Sequence, residues 1–475
     1  MKRAVISVAA VAVAVAAAGL YAGTQYYIGT RIAAQADEWR QQAAAHEELW
    51  VTRLDYEAGL GGGTLHYDLS YRPLPGNPLH DLLAEWQPTP ELHLQGSLPV
   101  THGPWLGSEG FGLARVEHQS PLPEAARAWL PNYPGQAPLL TLTGVQQWDG
   151  SHQLALRLID YRGQMAQPGG NERLELTLAD SQLEARWQPR QQRLQLEGRI
   201  GEFSLGLPSM AERLSLQQLS LTMDATAADR YLWLGDSALA LQQLRFSSQH
   251  TRFGLQEAIV STRTEQEQQH LNHHTEISLG GVTLPAQQLG PSRLRLALNR
   301  LELAPYQALL QRLERFDPGQ DAEAEWQQIR PLLERLLAYQ PELGIEEFSL
   351  SLAEPHDTSA RASLRYTGTG SLDPEQLPRQ LRLAAHAQAS DAAFQQLLSF
   401  MIAEESPGLS AEQQQQILAE SAPQMKALLL QTPFVVQLGE QLQAELVLEN
   451  GQVSAHGQPV MSAEALLDAS GLGEG

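Results

Sequence analysis

Three groups of residues in this chain have types and spacings that chemistry could use. The first is His102, in "PVTHGPWLGSEGFGLARVE" (99–117). A catalytic imidazole needs an orienting acid and a nucleophile or water beside it in space, and nothing in the flanking sequence points to either. Pro104 keeps Gly103 out of the helical region and has no amide proton of its own. The expectation is the end of a strand followed by a turn, with His102 riding on that turn. The second group is His270, His273 and His274 in "HLNHHTEISL" (270–279). On a helix, His270 and His274 would share a face and could hold one metal together. The alternation of "TEISLGGVTL" reads instead as a strand, where four residues span about 13 Å. Two imidazoles on one zinc each lie about 2 Å from it, so a solvated strand face is expected. The third is Gly59, Gly61, Gly62 and Gly63. A phosphate loop needs a helix after it to supply amide donors, but "TLHYDLSY" alternates like a strand, so the glycines read as the turn between two strands in 51–71.

The remaining candidates carry less. Glu346-Glu347 and Glu404-Glu405 read as solvated faces, because the carboxylate separation that matters for glycoside hydrolysis is spatial. No G-x-S-x-G, H-E-x-x-H, P-loop or kinase signature occurs. The sequence therefore assigns no catalytic, cofactor-binding or metal-binding residue, and predicts a protein that is not an enzyme.

The elements around these residues are mostly strands. "ELHLQGSLPV", "LLTLTGVQQWDG", "HQLALRLIDYRGQ", "ERLELTLADSQLEARWQ" and "QRLQLEGRIGEFSLGL" alternate apolar and polar residues between Gly, Asp and Pro, as antiparallel strands with one buried face do. "LSLQQLSL" (214–221), "LALQQLRF" (239–246) and "LALNRLEL" (296–303) share a further pattern, in which the two middle apolar residues stand three apart. In a strand the extra residue moves the apolar set to the other face unless a bulge or bend absorbs it.

Helical spacing returns at 303–316, with Leu309, Leu310, Leu313 and Phe316 on one face, and at 321–340, where Pro331 should kink or split the helix. Strands follow in "EEFSLSLAE", "ARASLRYTGTG" and "QLRLAAHAQAS", then helices at 391–405 and 410–431. Ser410 and Gln413 are spaced as a capping box. A hairpin over 441–460 turns at Asn450-Gly451. The fold class expected is α+β, mainly antiparallel β: one N-terminal transmembrane helix, then an extended curved antiparallel sheet with C-terminal helices packed on it. The organisation read from the sequence is a cytoplasmic stub and anchor (1–23), a connecting helix (24–50), a β-rich exported region (51–302), a mixed helix and strand region (303–460) and a C-terminal tail (461–475).

Residues 4–23 carry no charge and follow Lys2 and Arg3. About 20 apolar residues suffice for a spanning helix, and the basic flank holds the short N-terminus in the cytoplasm. A cleaved signal peptide is the competing reading, since "VAAAGLYAG" offers small residues. Either way the bulk is expected outside the cytoplasm, which in a Gram-negative bacterium means the periplasmic face of the inner membrane. The net charge of −22 opposes binding to nucleic acid and docking on anionic lipid. The absence of cysteine excludes disulfides, thiol nucleophiles and an acylated cysteine anchor.

The basic N-terminus, the apolar segment, the stretch "LDYEAGLGGGT", the strand ending in "HGP" and the closing hairpin "LENGQVSAHGQPV" together resemble the YdgA-like bacterial family of uncharacterised function. The resemblance implies an envelope protein of the inner membrane with no assigned catalysis, and it transfers no catalytic residue. The strand-rich, anchored plan is also similar to that of AsmA-like envelope proteins, which are thought to handle lipid. Two functions are expected to compete: a non-enzymatic module binding a lipid or other hydrophobic ligand, or a structural protein of the envelope acting through protein contacts, possibly a homodimer.

Overall fold

The computed structural model describes residues 48–470, apart from 60, 75–79, 81–83, 85–88, 108–109, 123–129, 136, 167–172, 230–231, 250, 286–287, 315–321, 353–356, 374–375 and 407–408, together with scattered positions between 28 and 41. The apolar segment 4–23 lies outside the described residues. Among those described, no helix is long and apolar enough to cross a membrane. The described positions between 28 and 41 are helical, and Leu49 already begins a strand. The fold is mainly antiparallel β with a few helices, as the alternating sequence requires. The chain divides into two compact units, residues 1–161 with 180–198, and residues 162–179 with 199–475.

The first unit is an antiparallel meander. β1 (Leu49–Gly59) and β2 (Gly62–Tyr71) form a hairpin. Its turn contains Gly61 at φ +81°, a conformation other residues rarely adopt. β3 (Leu92–His102), β4 (Ala114–Pro121), β5 (Pro138–Gln146) and β6 (His152–Leu158) follow, each paired with its predecessor. After β7 (Tyr161–Ala166), residues 182–187 of β8 (Arg173–Gln188) pair with β6.

In the second unit β9 (Arg193–Leu207) pairs with β10 (Glu212–Ala227), which continues through β11 (Trp233–Ser247), β12 (Arg252–Glu267) and β13 (His270–Leu279). A short flap, β14 (Gly281–Thr283) and β15 (Gln288–Leu289), returns against β12. β16 (Ser292–Glu302) then pairs with β13.

The echoed motif is explained here. In β10–β12 the residues Gln218, Gln242 and Glu257 stand in one row, and that row alone is missing from an otherwise unbroken register. Gln218 and Glu257 have φ of +51° and +49°. The interruption falls at the same place in all three strands, so the extra residue is taken up without shifting the pairing. In the third copy the device differs. Arg300 at φ +61° sits in a β16 bulge, and its N–H donates to Asn272 Oδ1 at 3.1 Å.

Two helices follow, α1 (Leu303–Glu314) and α2 (Ala322–Leu337), and α2 runs through Pro331 unbroken. Leu309 and Leu336 share a core with Leu232, Leu271 and Leu301. Leu310 is half-buried, but Leu313 is 47% exposed, against the helical-face expectation. α1 meets its neighbours through Tyr306, Leu309 and an ion pair from Arg312 to Glu325, which leaves Leu313 beyond the contact. Phe316 lies outside the described residues.

β17 (Glu342–Leu350), β18 (Thr358–Tyr366), the one-turn α3 (Leu377–Gln380) and β19 (Leu381–Ser390) continue the sheet from β16. α4 (Asp391–Glu405) is capped by Ser390, and α5 (Ala411–Gln431) by the Ser410–Gln413 box expected from the sequence. Lys426 of α5 reaches both carboxylate oxygens of Asp391 at 2.7 Å. β20 (Val435–Leu438), β21 (Gln441–Glu449), β22 (Gln452–Ala455) and β23 (Gln458–Ser462) close the sheet, with β21 on β19. Asn450 and Gly451 form the expected turn, both at positive φ. α6 (Ala463–Ser470) occupies residues read from the sequence as a tail, and buries Ala463 against Leu448 and Val453.

Candidate functional site

His102 ends β3, as expected, but it does not ride on the turn: it is 1% exposed. The Tyr56 hydroxyl is hydrogen-bonded to its Nε2, and the rings lie 5.6 Å apart. Burial pushes the Tyr56 phenol up to about 12 and the His102 imidazole below its usual value. Both directions favour the neutral forms, so the phenol donates and the imidazole proton belongs on Nδ1. Gly63 makes room for this pair, since a Cβ there would lie 2.3 Å from the Tyr56 hydroxyl oxygen. The tyrosine-and-glycine stretch and the HGP strand end, separate in sequence, therefore meet in one buried contact. Beyond it Trp105 and Phe111 form an exposed edge-on pair, 5.2 Å between ring centres. The Tyr56–His102 contact, tying β1 to the end of β3, reads as a structural clasp.

The β13 histidines are in a strand, as the spacing requires. They go to separate partners. His270 faces Glu302 at 3.5 Å and His274 faces Glu346 at 3.8 Å, while His273 lies between the Thr264 and Thr275 hydroxyls at 2.8 and 3.1 Å. Among the described residues no group of three or more His, Cys, Asp or Glu side chains could hold a metal. Glu347 pairs with Arg295 at 3.4 Å. Glu404 and Glu405 close α4.

Burial lowers the pKa of His102, His152 and His273, the last also through the His274 charge. These groups stay neutral in the folded chain below the ordinary histidine value of about 6.5, where the unfolded chain takes up protons. Stability should therefore be fully present above that value and decline as pH falls below it. Urea midpoints measured from pH 8 to 5.5 check this, and a midpoint that stays level or rises on acidification would refute it.

Two sheet surfaces of the second unit differ in character. A groove of about 690 Å³ crosses β10–β13 and β16, and both of its arginines are matched by carboxylates of the same lining. Arg263 is 2.6 Å from Asp236 and 3.7 Å from Glu265, and Arg295 is 3.4 Å from Glu276. The other surface is apolar and was not visible in the sequence, because it needs the register. Leu221, Leu239 and Val260 are direct cross-strand neighbours, and the same row continues through Ile277, Leu294, Phe348 and Ala360. Cross-strand neighbours share a face. Leu221, Leu239 and Val260 are 38%, 44% and 38% exposed. This arrangement offers apolar contact without a reacting group, and is the candidate site.

The family model described as a bacterial protein of unknown function (DUF945) matches residues 1–463, an uncharacterised bacterial family as the resemblance implied. No curated protein and no solved structure matches the chain.

Proposed function

The chain belongs to this bacterial family of unknown function, and from that premise we propose that it is a non-enzymatic module of the cell envelope that binds a lipid or similar hydrophobic ligand. In this reading residues 4–23 anchor it in the inner membrane, with the N-terminus cytoplasmic and the bulk periplasmic. The observation that carries the proposal is the open row Leu221–Leu239–Val260. Large side chains set side by side on a sheet are ordinarily covered, and contiguous apolar surface left open marks a binding site. The interrupted row of β10–β12 lies three residues along each strand from this one, and supports a local departure from regular sheet beside the open face.

The full chain, purified in detergent, should retain phospholipid detectable by mass spectrometry. Leu239→Asn with Val260→Asn should lose most of it while keeping the fold, since both side chains are already exposed. Equal lipid in the two preparations would defeat the reading.

A second reading rests on a different observation. Leu397 and Met401 of α4 and Ile417, Met425 and Leu428 of α5 are all 40–58% exposed. Lys426, the one basic residue of these two helices, is held by Asp391. The surface therefore lacks the free cations that anionic lipid attracts, and is better suited to protein contact, such as a homodimer. Sedimentation of the full chain over a range of concentrations decides it, with monomer throughout as the contrary result.

A further inference from the structure

A groove of about 530 Å³ lies on the second unit, over the ends of β10–β12 where the β14–β15 flap returns. It shares no residue with the apolar row. Its lining contains three arginines, Arg213, Arg245 and Arg252. The register brings them to one face. Arg213, Ser247 and Arg252 are cross-strand neighbours in one row, and Ser215, Arg245 and Gly254 form the row two residues along. Adjacent strands are about 4.8 Å apart and residues two apart on a strand about 6.8 Å. The three arginines thus stand next to Ser247, two of them directly across from it and one two residues along its own strand.

In a chain with 54 acidic and 32 basic residues, clustered arginines would be expected to find carboxylates. These do not. Among the described residues none of the three makes an ion pair. The neighbour of Arg245 is the neutral Gln243 amide, whose oxygen, turned toward the guanidinium, lies 2.9 Å away. The one carboxylate in the lining is Glu202, which is paired with Arg162 at 3.0 Å. The contrast with the neighbouring charged groove is direct: there each of Arg263 and Arg295 faces carboxylates of the protein itself.

We propose that this groove binds a phosphate-bearing anion, either free phosphate or the phosphate of a lipid headgroup. Guanidinium groups present paired N–H donors that match the oxygens of phosphate, and the Ser215 and Ser247 hydroxyls add donors between them. The site goes beyond the apolar-face reading and does not depend on it.

The test titrates the full chain in non-ionic detergent with inorganic phosphate by calorimetry, at low ionic strength. Saturable binding is expected, weakened at least tenfold by Arg245→Gln and unchanged by Arg361→Gln, an exposed arginine on β18 outside the groove. Dihexanoyl phosphatidylglycerol is then added to the phosphate-loaded protein. Displacement of phosphate identifies a lipid headgroup as the source, and retention identifies free phosphate; either supports the site. No saturable phosphate binding, or equal binding by wild type and Arg245→Gln, overturns it. Lipid retention on the apolar face is read separately by the Leu239 and Val260 variants, so failure of one proposal leaves the other standing.

Discussion

Gly103→Ala should be the most damaging small substitution in the first unit, costing about 4 kcal/mol or more. A Cβ at this position would lie 1.6 Å from the Gly112 carbonyl oxygen, and that atom is backbone, so no side chain can swing aside. The two strands of the loop are tied there by Gly103 N–H to the Leu113 carbonyl at 2.7 Å and Gly112 N–H to the Pro104 carbonyl at 3.1 Å. Relieving the clash means opening these ties. That in turn exposes Leu106, 2% exposed, and His102, 1% exposed, with the loss of the Tyr56 contact. Urea unfolding followed by tryptophan fluorescence measures the effect. Gly135→Ala, which meets nothing within 4 Å, is the control and should be close to neutral. Equal midpoints for the two variants would show that the loop tolerates what its geometry forbids.

The second large effect is expected in the helical pair. Arg312 of α1 donates to Glu325 of α2, and the Glu325 side chain is 4% exposed against 19% for Arg312. Arg312→Met removes the counter-charge and leaves a carboxylate buried beside Leu-rich packing. Breaking a buried pair from one side costs about 3–5 kcal/mol. Adding Glu325→Leu should restore most of that loss, because replacing both charges by apolar groups of similar volume is often neutral or stabilising. Thermal melting of the wild type, single and double variants checks both effects. A double variant as unstable as the single one would mean the helices depend on the charge pair itself.

Much of the fold is legible because the deciding information is local. The Asn450-Gly451 turn, the Ser410–Gln413 capping box and the alternation of the strands each rest on residues a few positions apart, and each is found. β12 gave no clear strand signal, since Glu257 breaks its alternation in the middle and "AIV" follows without a polar partner. α6 has only eight residues, too few for helical spacing to stand out. The burial of His102 depends on Tyr56, 46 residues away, and composition around the histidine carries no trace of it. The same limit hides both candidate surfaces. Leu221, Leu239 and Val260, or Arg213, Arg245 and Arg252, become neighbours only once three strands are in register.

The connectivity carries a consequence for how the chain acquires its structure. From β1 to β6 each strand bonds to the one made just before it, and the same holds from β10 to β13 and from β16 to β19. Contacts between near neighbours in the chain lower contact order, and low contact order speeds folding. A polypeptide emerging end-first can therefore zip up ribbon by ribbon, and no early strand in these runs has to wait, unpaired and prone to aggregate, for a partner delivered much later.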